Sequence, residues 1–487
     1  MKQLNTMDAG FLYVESHRSP MHIGGVYIFE GTNHETGFSY ETFRDYLTSR
    51  LHIYPVFQQR LIEVPLDLGL PYWYDDPNFD IEHHISYVAL PTPAGKDELF
   101  KLAAQIFNRP LDRQRPLWEI TVVTGLKIAG LPEGSFALIP KVHHAALDGK
   151  AGVAIMQALF DSTPIPRLFP KEKKEKPKRI PTNIELLARH TGDAVKTPFK
   201  LLMLAEKGIQ SVFKSNSKKK KIRDIEGYNP PPAPFTAPKT FFNVPVTPHR
   251  IVSATEFSLE RVKAIKDKMK VTVNDVILSV CGGALRHYLS EKDALPKKSL
   301  ITMAPVSVRT KDEGGKLGNK ISAMLVALST DEADPVQRLK NIHANAGGSK
   351  AFQKAVKAEK LMDYIPSQVA ASAARIYTRM KIAKLHNPIY NLVITNVPGP
   401  AKPLYMNGHQ LLNNFAIAPL IDGMGLMITV FSYAGIISIG ATSCREIMPD
   451  LDTLTDYIHL ALEDLEKAIA ESDGHTESNT TINIEIQ

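Results

Sequence analysis

The apolar positions of this chain change period several times, and each change marks a predicted element. Met21–Phe29 and Trp118–Val123 read as strands, and Ser39–Leu51 and Lys96–Phe107 as helices. Phe136–Val142 is apolar almost throughout, as a strand covered on both faces would be, and an apolar helix is expected behind it at Ala151–Phe160. From about Arg250 the alternation returns. Strands are expected at Arg250–Phe257, Leu300–Val308, Ile321–Leu328, Tyr390–Asn396, Met424–Tyr433 and Gly435–Ser443, with helices at Ser258–Met269, Val273–Tyr288, Pro335–Ala358 and Leu451–Ser472. The fold class is α/β, in the α+β sense, with two stretches of similar size and no short-period repeat. At 487 residues the chain is too long for one ordinary core. The expected division is an N-terminal domain at 1–165, a linker at 166–249, a C-terminal domain at 250–472 and a polar, frayed tail at 473–487.

The linker changes the electrostatic picture. The chain carries a formal charge of +7, but Arg167–Arg223 alone holds 17 Lys/Arg against 5 Asp/Glu, so the remainder is net acidic. Lys171–Pro177 has a linker's composition, and Asn229–Pro234 is a stiff proline spacer. Between them Phe199, Leu202, Ile209, Val212 and Phe213 stand among lysines, as in amphipathic helices broken near Pro198, and Lys218–Lys221 closes the segment. A solvated linker, a nucleic-acid contact and an anionic membrane contact all fit such a stretch. Two cysteines, Cys281 and Cys444, leave no disulfide framework or Cys-rich metal site and suit a reducing compartment. With no signal-peptide core and no run of about 20 apolar residues, a soluble or membrane-peripheral protein is expected.

The chemistry concentrates at His143-His144-Ala145-Ala146-Leu147-Asp148-Gly149, an HHxxxDG run directly after the apolar strand. It places imidazoles, whose ordinary pKa is near neutrality, at a strand-to-turn junction. Metal binding fits poorly: adjacent histidines diverge on most backbones, the spacing is not HExxH, and no nearby Cys or Glu completes a ligand set. No GxSxG elbow hosts a serine nucleophile. A histidine general base remains, beside the bland reading of two satisfied, partly buried histidines. A second pair, His83-His84, has no Asp-Gly after it and reads as surface.

Further motifs decide between these readings. Phe11-Leu12-Tyr13-Val14-Glu15, Pro116-Leu117-Trp118, HHxxxDG, Asn274-Asp275, Pro305–Arg309 and Asn396-Val397-Pro398-Gly399-Pro400 follow one another along the chain. In kind and order they resemble the motifs of the bacterial wax ester synthase/acyl-CoA:diacylglycerol acyltransferase family, within the CoA-dependent acyltransferase superfamily. The departures are Tyr13 and Val14, where the family pattern has Trp and Leu. The resemblance implies two chloramphenicol-acetyltransferase-like domains with a tunnel at their interface. It implies His144 as general base, His143 as support, Asp148 as a structural brace and Gly149 as the residue that permits the tight turn. Asn274 would donate to the oxyanion or order the site, though a helix N-cap is the plain alternative for an Asn there. Glu15, Trp118 and Arg309 become substrate-binding candidates; ordinary core packing for Trp118 and a surface ion pair for Arg309 are the alternatives.

The implied activity is transfer of a long-chain fatty acyl group from acyl-CoA to fatty alcohols or diacylglycerol, without a covalent intermediate. Acyl-CoA is then a cosubstrate, and neither a metal nor a bound cofactor is expected. An anionic membrane or lipid-droplet surface, not nucleic acid, becomes the partner of the basic linker. A cytoplasmic enzyme peripherally attached to the inner membrane or to lipid inclusions follows. The rivals are a condensation-type enzyme using a carrier-protein thioester and a non-catalytic lipid-binding or droplet-coating protein.

Overall fold

The computed structural model describes residues 1–31, 38–65, 69–146, 156, 159–169, 179, 181–186, 227–307, 321–356 and 387–482. Asp148, Gly149, Arg309, the predicted helix after the HHxxxDG turn except 156, 159 and 160, and nearly all of the basic segment lie outside them.

Two six-stranded sheets carry the molecule. The first is built from β2 (His22–Phe29), β5 (Ile85–Ala89), β6 (Trp118–Thr124) and β7 (Phe136–His143), and is completed by β12 (Tyr405–Met406) and β13 (His409–Ile417), in the order β12-β13-β2-β7-β6-β5. The second runs β10-β9-β11-β14-β15-β8, from β8 (Arg250–Ser258), β9 (Ile301–Ser307), β10 (Ile321–Ala327), β11 (Leu392–Pro398), β14 (Leu426–Tyr433) and β15 (Ile436–Cys444). A small sheet joins β1 (Lys2–Gln3), β3 (Gln59–Ile62) and β4 (Tyr72–Asp75). Most pairs are antiparallel; β5 with β6, and β11 with both β9 and β14, run parallel.

Strand alternation sorts side chains onto two faces. Phe29, Phe136, Leu138 and Val122 pack on one side of the first sheet with Phe43 and Leu47 of α2 (Tyr40–Thr48). Val26, Ile28, Ala137 and Ile139 pack on the other with Leu99, Phe100 and Ala103 of α3 (Lys96–Asn108). The same α3 cluster takes in Val252 and Ala254 of β8, so one core spans both halves. In the second half, α5 (Val273–Glu291) and α7 (Leu451–Ile482) bury Val276, Leu278, Leu454 and Ile458 against Ile428 and Ile439. α4 (Leu259–Met269) and α6 (Pro335–Val356) flank this core. Ser258 caps α4, its hydroxyl accepting from the Glu260 N–H at 3.2 Å.

Three features differ from the sequence expectations. The strand pair at 405–417, which lies in the second half of the chain, completes the first sheet by pairing β13 antiparallel to β2. The last helix runs on to Ile482, past Ile469, its last buried apolar residue among the described side chains. No proline interrupts that polar extension. A short N-terminal helix, α1 (Thr6–Val14), was not marked by the apolar pattern; Asn5 caps it by accepting from Asp8 N–H at 2.8 Å.

The Asn396–Pro400 motif lies where the chain leaves one sheet for the other. β11 ends at Pro398 in the second sheet, and Tyr405 already belongs to the first. Gly399 donates its N–H to Ser432 O at 2.8 Å. A Cβ there would come within 2.4 Å of the Phe431 ring and 2.5 Å of Ser432 O, so only glycine fits without a shift.

Candidate active site

β7 delivers the two histidines to different neighbourhoods. The His143 N–H donates to Leu117 O at 3.0 Å and the His144 N–H to Met21 O at 2.7 Å, which fixes the strand end. The chain then turns through a short 3-10 segment, His144–Ala146. His143 stays on the α3 face of the sheet, opposite His22 in register. His144 leaves the strand, and its ring stacks on Phe11 of α1 with centroids 3.8 Å apart and planes 15° from parallel.

Both ring nitrogens of His143 have a polar protein neighbour, though among the described residues only Nδ1 makes a hydrogen bond. Its Nδ1 accepts from the Ala145 N–H at 3.0 Å, so a neutral ring carries its proton on Nε2. That Nε2 lies 3.3 Å from Glu15 Oε1. Glu15 closes the end of α1, its own N–H donating to Phe11 O at 3.2 Å. Its Oε1 also accepts from Met21 N–H at 3.0 Å, and its Oε2 accepts from Arg113 Nη2 at 2.7 Å and Nε at 3.2 Å. Arg113 reaches the last turn of α1 too, donating to Leu12 O at 2.9 Å. Burial pushes the Glu15 carboxyl up, but His143, Arg113 and Met21 outweigh it and hold it at about 2. Glu15 is therefore ionised, with both oxygens engaged by protein groups. Its neighbours in this structure are His143, Met21 and Arg113.

His144 has no carboxylate beside it among the described residues, unlike His143. Its Nδ1 is buried and has no hydrogen-bond partner among the described residues. Burial, with the neighbouring His143, lowers its pKa from 6.5 to about 4, so it is neutral at neutral pH. A neutral imidazole with a free nitrogen is a proton acceptor. His22 accepts from Leu111 N–H through Nε2 at 3.3 Å, and burial beside the Lys141 charge lowers it to about 3. The buried Lys141 ammonium is spent on Ile106 O, Arg109 O and Glu119.

Trp118 packs in the core. Its side chain is buried, its indole N–H donates to Phe57 O at 2.9 Å, and Phe57 meets it edge-on. His84 stacks on it at 4.5 Å and makes a 2.7 Å hydrogen bond from Nδ1 to Trp118 O. Of the two readings of Trp118, core packing is the one these contacts match. The expectation of a surface His84 is corrected: it is buried, because the turn at Ile81–His83 swings it inward between Phe79 and Trp118 while His83 stays exposed. A polar cavity of about 280 Å³ lies outside His84, lined among others by Arg60, Asp76, Asp112 and Arg115; neither His143 nor His144 lines it.

Asn274 does not cap α5. Thr272 does: its hydroxyl accepts from Asp275 N–H at 3.2 Å, and Asp275 Oδ2 accepts from Thr272 N–H at 3.0 Å. The same Oδ2 binds His343 Nδ1 at 2.8 Å. Asn274 Oδ1 accepts from Asn396 Nδ2 at 3.3 Å, while Asn274 Nδ2 is buried without a partner among the described residues. Two motifs far apart in sequence meet in this pair.

Sequence reasoning gave no role to Phe11, His22, Arg113, His343 or Asn396. Phe11 and Asn396 stand inside motifs; nothing in the sequence marks Arg113 or His343. Among the described residues no cluster of three or more His, Cys, Asp or Glu suits a metal, and no helix is long and apolar enough to cross a membrane.

Comparison with known proteins matches this architecture. A family model described as the wax ester synthase/diacylglycerol acyltransferase catalytic domain matches residues 4–277, and the WS/DGAT C-terminal domain matches 317–466. A putative diacylglycerol O-acyltransferase of Mycobacterium tuberculosis is 33% identical over 472 residues, covering 96% of this chain and 90% of that protein. The O-acyltransferase WSD of Acinetobacter baylyi is 31% identical over 487 residues, covering 98% and 100%. Among solved structures, a wax ester synthase/diacylglycerol acyltransferase from Marinobacter aquaeolei VT8 superposes with a TM-score of 0.68 at 27% identity, over 96% of this chain and all of that one. The starter condensation domain of rhizomide synthetase shares the fold, with a TM-score of 0.53 at 13% identity. The chain therefore belongs to the wax ester synthase/diacylglycerol acyltransferase family and is an acyltransferase.

Proposed function

We propose that this enzyme transfers a long-chain acyl group from acyl-CoA to a fatty alcohol, giving a wax ester, or to diacylglycerol, giving triacylglycerol, with His144 as general base. The observation that carries the reading is the division of labour between the histidines. The acceptor nitrogen of His143 is taken by Ala145 N–H and its other nitrogen faces Glu15. His144 is neutral and keeps Nδ1 without a partner among the described residues.

The chemistry needs little else. The alcohol oxygen attacks the thioester carbonyl carbon while His144 takes its proton, a contribution of about 10² to 10⁴ in rate. Negative charge gathers on the carbonyl oxygen, and we assign its donor to Asn274, whose amide nitrogen is buried without a partner among the described residues. The tetrahedral species collapses, the C–S bond breaks, and the CoA thiolate takes the proton from His144. Acyl-CoA acts as a cosubstrate, and no covalent enzyme intermediate forms. In this reading Asp148 serves as brace, Gly149 as the turn residue and Arg309 as a substrate-binding residue. The lipid acceptors place the enzyme at an anionic membrane or droplet surface on the cytoplasmic side, held by the basic segment ending at Lys218–Lys221.

A donor and acceptor screen tests this reading. Labelled acyl-CoA, supplied with fatty alcohol or diacylglycerol, should give ester, and an acyl carrier-protein thioester should not. Ester formed only from the carrier thioester would assign the enzyme to condensation-type chemistry. Loss of vesicle binding when Lys218–Lys221 are neutralised is the expected surface result; unchanged sedimentation with anionic vesicles removes that part.

A further inference from the structure

We infer that Asn396 is a positioning residue: its side-chain amide fixes the Asn274 amide so that the Asn274 nitrogen is held free as a donor to the oxyanion. This rests on the reading of Asn274 given above and deepens it.

A primary amide has one acceptor oxygen and one NH₂ donor group, and a half-turn exchanges them. Which end faces the reaction is therefore decided by a neighbour. At Asn274 the neighbour is Asn396, whose Nδ2 donates to Asn274 Oδ1 at 3.3 Å. This occupies the oxygen and turns the nitrogen away, where it is buried and unpartnered among the described residues. The helix does not require Asn274 for its start, because Thr272 and Asp275 already satisfy each other's backbone N–H groups. A buried amide nitrogen left empty is unfavourable, and a charged oxygen that arrives only during reaction is the partner that would use it.

The mount of Asn396 is stiff. It sits on β11, paired in register with Val430 of β14. Two residues on, the Pro398-Gly399-Pro400 turn is pinned by the Gly399 to Ser432 hydrogen bond. The motif's asparagine thus has a task separate from its Pro-Gly-Pro turn.

The sign of the effect is specific. Asn396→Asp replaces the donor with a carboxylate. The Asn274 amide should then rotate to donate to it, turning an oxygen toward the oxyanion. Asn396→Ala merely releases the amide. The test measures kcat, KM and Tm of the full chain with palmitoyl-CoA and hexadecanol. Asn274→Ala should lower kcat about 10² to 10³-fold. Asn396→Asp should approach that loss with KM near the parent value, and Asn396→Ala should lose about tenfold or less. In the Asn274→Ala background, Asn396→Asp should cost nothing further, a coupling that general misfolding would not produce. Parent kcat for Asn396→Asp while Asn274→Ala is impaired overturns the positioning role alone. Parent kcat for Asn274→Ala removes the oxyanion donor and this inference with it.

Discussion

Glu15 Oε1 lies 3.3 Å from His143 Nε2, and one turn back on the same helix Phe11 covers His144. One short helix therefore sets both histidines of the HHxxxDG turn, the first through a carboxylate and the second through an aromatic face. Arg113 completes the arrangement by binding both Glu15 and the last turn of that helix.

This relationship predicts how Glu15 fails. Glu15→Ala leaves Arg113 beside an empty, partly buried site and frees His143, so a stability loss of about 3 kcal/mol is expected. Glu15→Gln keeps an oxygen for Met21 N–H and should cost about 1–2 kcal/mol. In both, kcat should fall more than KM rises. Urea unfolding and steady-state kinetics check this; a change confined to KM would return Glu15 to substrate binding.

The pH response follows from the buried histidines. His22 and His144 fold with pKa values of about 3 and about 4, against an ordinary 6.5. Below pH 6.5 the unfolded chain binds protons on both rings before the folded chain does. Stability present above pH 6.5 is therefore lost as pH falls toward 4 and then 3. Glu15 adds to the loss from about 4.5 down to about 2. The urea midpoint should fall between pH 7 and 5, and His22→Gln should flatten that fall. The acid limb of kcat/KM should lie near pH 4, since it reports the free base of the unliganded enzyme. A limb near 6.5 would mean that His144 is not held in this buried environment.

Trp118 separates packing from substrate contact. Trp118→Phe removes the hydrogen bond to Phe57 O and leaves a smaller ring against His84. A loss of about 1–3 kcal/mol in stability with KM unchanged is expected. An altered acyl-chain preference at parent stability would place Trp118 at the substrate instead.

Asp161 anchors the chain beyond the HHxxxDG loop. It is buried and accepts from Arg50 at 2.8 Å, Tyr46 at 2.9 Å and Arg167 at 2.6 Å, while its backbone pairs with Tyr405 after the crossover. Burial raises its carboxyl, but Arg167, Tyr46 and Arg50 together hold it below the ordinary range. Asp161→Ala should cost on the order of 3–5 kcal/mol, because Arg50 is left buried and unpaired. Thermal unfolding measures it; a Tm within a degree or two of the parent would contradict the anchoring role.

Much of this architecture was legible in the sequence because strand and helix burial follows the apolar period. Val26 and Phe29, or Val122 and Val123, reach opposite cores as alternation requires. The β13 pairing with β2 was not legible, since its partner lies nearly a whole chain away and no local pattern encodes it. His84 was misread because a polar neighbourhood hides a ring that stacks on Trp118. At the site, the motif residues were visible but not their connections. Glu15 reaches inward to His143, Thr272 takes the cap that Asn274 could have supplied, and Asn396 meets Asn274 through tertiary folding.

The most direct test of the central claim compares ester synthesis from labelled acyl-CoA by the parent enzyme, His144→Ala and His143→Ala, each checked for folding by its unfolding midpoint. His144→Ala should lower kcat by at least about 10²-fold at near-parent stability, and His143→Ala should lose stability along with activity. Ester synthesis at the parent rate by a folded His144→Ala variant would contradict it.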